Sequence, residues 1–151
     1  MRGLAFACLV LLTACGGGRK PVRVEPSAAP AAVAAAFMRA VADSNLTQMA
    51  ELWGTSKGSA EATGQPADFL QRIAVMQLYL RGATTKILGN GPVPGGGDRR
   101  QVMVELTRGG CVKQVPFTMV RTKDGAWLVN AVDLNAAGNP AKPCEGAPPE
   151  P

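Results

Sequence analysis

The hydrophobic pattern changes period once, at Gly82, and that change restricts the chain to helices followed by strands. Before it, apolar residues recur at helical spacing. Val33, Phe37 and Val41, with Ala34 and Met38, make one stripe over Pro30 to Ala42. Pro30 falls in the first turn, where its missing N–H has no partner to lose. Asp43-Ser44-Asn45 interrupts the pattern, and a short second helix is expected from Leu46 to Leu52 or Trp53. Asn45 and Gln48 are spaced as in a capping box, a simpler reading of Asn45-Leu46-Thr47 than a glycosylation acceptor. Gly54 to Gly64 reads as a polar loop. Pro66 then opens a third helix, with Asp68 near the positive end of its dipole. Its residues Phe69, Leu70, Ile73, Val75, Met76 and Leu80 give a wide apolar face, expected to be well buried, before Gly82 stops it.

After Gly82 the period is two. A short strand is expected over Thr84 to Leu88, then a glycine-rich loop from Gly89 to Gly97. Three strands follow: Arg100 to Arg108, Cys111 to Thr122 and Ala126 to Leu134, joined at Gly109-Gly110 and Asp124-Gly125. The second junction is a strong signal for a two-residue hairpin turn. Val102, Val104 and Leu106 share one face, as do Val115, Phe117 and Met119. In the last strand Leu128 and Val132 are expected opposite Trp127 and Val129. The fold class is therefore α+β, with N-terminal helices packed on a curved four-stranded antiparallel sheet.

The first residues order themselves as an export signal: Arg2, an apolar run from Leu4 to Leu12, then small residues ending at Cys15. An apolar run of about nine residues is far below the roughly 20 that span a bilayer. Leu12-Thr13-Ala14-Cys15 resembles the lipobox of bacterial lipoproteins. That resemblance implies cleavage before Cys15, a thioether-linked diacylglycerol and an acyl chain on that residue, and the bilayer as a partner. Two or three chains anchor stably where one does not. Gly16, rather than an aspartate, resembles the signal for the periplasmic face of an outer membrane in cells with two membranes. The expected organisation is a signal peptide (1–14, which takes Cys8 with it), a lipidated tether (15–27), one α+β domain (28–138) and a Pro/Gly-rich tail (139–151). Extended at roughly 3.1 Å per residue, the tether reaches about 35–40 Å.

Cys111 and Cys144 remain, and an even pair in an exported chain reads as a disulfide. A two-residue turn at Asp124-Gly125 pairs Lys123 with Ala126 and carries Cys111 opposite Gly138, within reach of Cys144. Closing a loop of about 30 residues contributes on the order of 3–4 kcal/mol.

Several chemistries are excluded. The chain has no histidine, which removes His-dependent triads, Cys–His dyads and the common zinc sites. Gly89 to Gly97 lacks the Gly-Lys-Ser/Thr ending of a phosphate loop. Asp133 to Gly138 begins like a calcium loop, but Ala137 and Cys144 occupy ligand positions. No metal or cofactor beyond the lipid is expected. The charge of +5 is mild. Arg99, Arg100, Arg108, Lys113, Arg121 and Lys123 gather near the expected hairpins, a solvated surface or a contact for anionic headgroups and wall polymers. Few aromatic residues and no recognition motif argue against nucleic acid.

Ala35-Ala36-Phe37-Met38-Arg39-Ala40-Val41, Asn45 to Trp53, and Gly125-Ala126-Trp127-Leu128-Val129-Asn130 resemble the opening helices and last strand of the NTF2-like (cystatin-like) superfamily. The resemblance spans about Ala28 to Leu134 and implies a cone-shaped fold used by isomerases, dehydratases and binding modules alike, so it transfers no activity. Catalysis on such a fold needs a cavity carboxylate with a tyrosine, which points to Asp133 or Glu105 with Tyr79. Trp53 and Trp127 suit a pocket wall, or the core and its rim. The leading expectation is a non-catalytic, membrane-anchored envelope lipoprotein that binds another envelope protein or a small ligand. The alternatives are a small isomerase or hydrolase, and a structural envelope component acting through an exposed sheet face.

Overall fold

Helix α1 (Pro30–Ala42) enters at Pro30 and lays Val33, Phe37 and Val41, each at most 1% exposed, against the sheet. A computed structural model describes residues 29–144; the leader, Cys15, the tether and the tail after Cys144 lie outside the described residues. Ser44 takes a positive φ of 53° between α1 and α2 (Leu46–Leu52), and the Asn45 side chain accepts the Gln48 N–H at 3.0 Å. That satisfies one of the orphan donors of the first turn. The segment expected as a polar loop is more ordered than its composition suggests. It holds a hairpin of β1 (Gly54–Thr55) and β2 (Gly58–Ser59), then α3 (Ala60–Thr63), capped by the Ser59 hydroxyl and ended at left-handed Gly64.

Pro66 does not open the third helix. The Gln65–Pro66 bond is cis, Phe69 N–H donates to the Pro66 carbonyl, and α4 (Phe69–Leu80) starts beyond that turn. Only one side of α4 is buried, through Ile73, Met76 and Leu80. Leu70, Val75 and Leu78 are exposed, at 62%, 40% and 44%, so the apolar face is wider than the surface it packs on. Arg108 finishes this helix from the sheet: its Nη2 donates to the carbonyls of Tyr79 at 2.8 Å and Arg81 at 2.9 Å. A cation at a helix C-terminus satisfies orphan carbonyls and suits the dipole. One of the six basic residues near the hairpins is thus a structural clamp.

The sheet is a meander, β3-β4-β5-β6, antiparallel throughout. β3 (Thr84–Pro92) runs through half of the expected glycine-rich loop, because a bulge at Leu88 resets the register between Ile87↔Val104 and Gly89↔Met103. β4 (Arg100–Arg108) and β5 (Cys111–Arg121) match the expected strands, with β5 one residue shorter. Val102, Val104, Val115, Phe117 and Met119 are fully buried beneath the helices. Phe37 meets Phe117 edge to face, with centroids 6.2 Å apart and planes at 82°.

β6 (Trp127–Val132) departs from expectation in three ways. The turn before it holds three residues, since Arg121 pairs with Trp127 and the Thr122 N–H reaches the Ala126 carbonyl. A second bulge at Asn130 then restores the offset, so Met119↔Val129 is followed by Thr118↔Ala131. The core face consequently holds Val129 and Val132 together, with Leu128 on the other side beside Val120. The strand also ends early. Asp133 caps the short α5 (Leu134–Ala137) by accepting the Ala136 N–H at 3.0 Å. Beyond it, Cys144 is joined to Cys111 by a disulfide across a Cα separation of 5.4 Å. The described start of the tail is therefore tied to the sheet, and Pro143 lies against Gly109.

Candidate functional site

The most built feature on the surface is a groove at the β6 flank, where three segments distant in sequence converge. Trp53 leaves α2 in extended conformation (φ −113°, ψ 140°) and forms a parallel bridge with Val129. The next residue, Gly54, offers its carbonyl to the Asn130 Nδ2 at 2.8 Å. The bulge makes this possible: an extra residue in β6 swings Asn130 out of the alternation and toward the flank. Gly54 is required where it stands. A Cβ there would collide with the Gly58 carbonyl and lie 2.8 Å from Ser59 Cα.

The opposite wall is α4. Asp68, Arg72, Val75 and Met76 follow at helical spacing and line one face. Arg72 Nε donates to Asp68 Oδ1 at 2.9 Å, leaving its two Nη groups without a partner among the described residues. That hydrogen bond holds the Asp68 carboxyl below the usual carboxylate range and raises the Arg72 guanidinium. Both side chains are about half exposed, so the pair is screened and contributes little to stability.

The groove has two compartments that share Trp53, Arg72 and Asn130. The first, near 440 Å³, continues along Val75, Met76, Val132 and Leu134 and is mostly apolar. The second, near 490 Å³, is lined by Thr55, Ser56, Lys57, Gln65 and Pro66; its surface is also mostly apolar, with the Lys57 cation among its lining residues. Both fall within the size range of small-molecule sites, about 300–1,000 Å³. Between them sits Trp53, 8% exposed, whose Nε1–H is closed off from water and finds no acceptor among the described residues. An orphaned buried donor costs about 1–3 kcal/mol.

The sequence-derived candidates lie elsewhere. Glu105 is on the sheet face opposite Val104 and Leu106, in register with Lys86 and Gln114. Asp133 caps α5, and Tyr79 sits in the last turn of α4 beside the carbonyls that Arg108 clamps. None of the three lines either compartment. Cys15 lies outside the described residues. Among the described residues no group of three or more His, Cys, Asp or Glu side chains is placed to hold a metal, and no helix is long and apolar enough to cross a membrane. Sequence reasoning named Trp53 but passed over Arg72 and Asn130. One signal was present: Asn130 interrupts the apolar run Trp127-Leu128-Val129 and Ala131-Val132, as a bulged residue does.

Against this geometry, no family model matches the chain, and neither a curated protein nor a solved structure matches it.

Proposed function

We propose that the chain is a lipid-anchored envelope lipoprotein whose domain is a non-catalytic binding module, with the Trp53–Arg72–Asn130 groove as its ligand site. One observation carries the site. The space between helices and sheet is filled, with Phe37, Met49, Ile73, Phe117 and Met119 all below 2% exposed, while the groove beside it is open. An NTF2-like enzyme works inside that space, and here it holds packed apolar side chains. The order of helices then meander supports an NTF2-like reading of the architecture alone. The dispersal of Tyr79, Glu105 and Asp133 supports binding over catalysis.

The anchor rests on the Leu12-Thr13-Ala14-Cys15 lipobox. Expression of the full chain in a bacterial host with an alkyne-labelled fatty acid should label the wild type and leave Cys15→Ala unlabelled. Lipid labelling of Cys15→Ala sinks the anchor. The groove is tested by ligand-observed NMR of a polar-fragment library against the full chain. Ala131 is exposed and borders the first compartment, so Ala131→Trp should fill it and abolish the hits. Hits that survive Ala131→Trp unchanged place binding elsewhere and overturn this site.

A further inference from the structure

The binding reading leaves the ligand unnamed, and the groove constrains its chemistry. Three features act together. The first is charge. Arg72 and Lys57 border the second compartment, and Asp68, hydrogen-bonded to Arg72, offsets one of them, leaving one net positive charge. That balance suits a monoanion better than a dianion. The second is donor geometry. The Arg72 Nε is occupied, so the paired Nη groups form the available fork, which matches a planar carboxylate. The third is the apolar wall of the first compartment. It runs from Arg72 along Val75, Met76, Val132 and Leu134, and Val75 is 40% exposed with nothing over it. Such surface gains roughly 25 cal/mol per Å² when a hydrocarbon covers it.

From these features we infer that the groove binds a single-chain carboxylate amphiphile, its head on Arg72 and its chain along Val75 and Leu134. This rests on the binding-module reading and adds the ligand class. The head displaces no partner of the Arg72 Nη groups, because they have none among the described residues. Asp68 acts as a governor of affinity: its carboxylate, on Nε, offsets the guanidinium charge and repels the ligand head at the neighbouring Nη groups.

The test uses the full chain in zwitterionic nanodiscs, with empty nanodiscs as reference. Trp127→Phe leaves Trp53 as the sole indole reporter. Octanoate should shift Trp53 emission saturably, with one site by calorimetry. Octanamide, with the same chain and no charge, should bind at least about ten-fold more weakly, as expected for loss of a charged hydrogen bond. Arg72→Gln should weaken octanoate by a similar factor and leave octanamide unchanged. Asp68→Asn should tighten octanoate several-fold. Arg72 is exposed, so its replacement leaves the core intact; Asp68→Asn keeps the test alive if it does not.

Equal binding of octanoate and octanamide, or full octanoate affinity in Arg72→Gln, overturns the carboxylate class. Tighter binding of octyl phosphate than of octanoate does the same and assigns the head to phosphate. Absence of octanoate binding, with fragment hits still lost in Ala131→Trp, refutes the ligand class while the groove stands. Only hits that survive Ala131→Trp refute the site itself.

Discussion

Along its β6 edge the sheet is closed by segments from far away in the chain, whereas along β3 it pairs with β4 and nothing else among the described residues. At β6, Trp53 bridges Val129, Asn130 reaches Gly54 across 76 residues, and α5 folds back over β5 before the disulfide fixes Cys144. At β3 the free edge defends itself instead. It carries a bulge at Leu88, Gly89 and Gly91, a central Lys86 and a terminal Pro92, all of which discourage a neighbouring strand. The two solutions have different consequences. A self-protected edge needs no neighbours and makes no concavity. An edge closed by imported segments leaves seams where those segments meet, and the groove is such a seam.

The largest expected effect tests how firmly the β6 flank is closed. Cys111→Ala with Cys144→Ala removes a cross-link between residues 33 apart in sequence. The chain-entropy argument gives a loss of about 3–4 kcal/mol in urea unfolding. A loss much below that shows that α5 and the tail hold to β5 without the bond. Gly54→Ala comes next. Its Cβ meets backbone rather than a movable side chain, so the β1–β2 hairpin must shift away from β6. About 1–3 kcal/mol is the usual cost of such overpacking. The same substitution should expose the Trp53 indole, read as a red shift in emission. An unchanged spectrum breaks the link between the hairpin and the groove.

The two edges were unequally legible in the sequence. β4, β5 and α1 emerge within a residue of their expected bounds, because alternation and helical spacing are local signals that burial reinforces. The bulges at Leu88 and Asn130 leave only faint marks, since one extra residue alters register without altering composition. They account for the misread end of β3 and the misassigned face of β6. The disulfide pairing was reachable because the Asn130 bulge returns β6 to the offset that a two-residue turn would have set. A three-residue turn and a bulge cancel. The groove was illegible for a different reason. Arg72, Trp53 and Asn130 belong to three elements whose docking is tertiary, and no local pattern joins them.

A smaller effect separates the edges by association rather than stability. Ile87↔Val104 and Gly89↔Met103 flank the β3 bulge, so deleting Leu88 restores continuous pairing without moving either side. The straightened edge should recruit a second strand. Light scattering after gel filtration should show larger species for the deletion than for the wild type at equal concentration. Identical elution profiles assign edge protection to Lys86, the glycines and Pro92 rather than to the bulge.

The smallest effect is electrostatic and belongs to the groove. On the β3 side Lys86 and Glu105 stand opposite in register, yet no ion pair joins them among the described residues. On the groove side Asp68 and Arg72 do pair, and the Arg72 hydrogen bond holds the Asp68 carboxyl below its ordinary range. Because the folded value is the lower one, the pair's contribution is complete above the ordinary carboxylate range. It is lost only as pH falls through the depressed value. The wild type and Asp68→Asn should therefore differ by a small constant in urea midpoint near neutral pH and converge below the usual carboxylate range. Carbon-detected NMR of the Asp68 carboxyl should titrate below that of an unpaired aspartate. If octanoate occupies the Arg72 Nη fork, its own negative charge lies close to Asp68 and opposes ionisation there, so the Asp68 titration should move up when the ligand is bound. A titration that octanoate leaves in place separates the ion pair from the ligand site. That outcome makes the Arg72–Asp68 pair a surface ion pair of α4 rather than part of the ligand site.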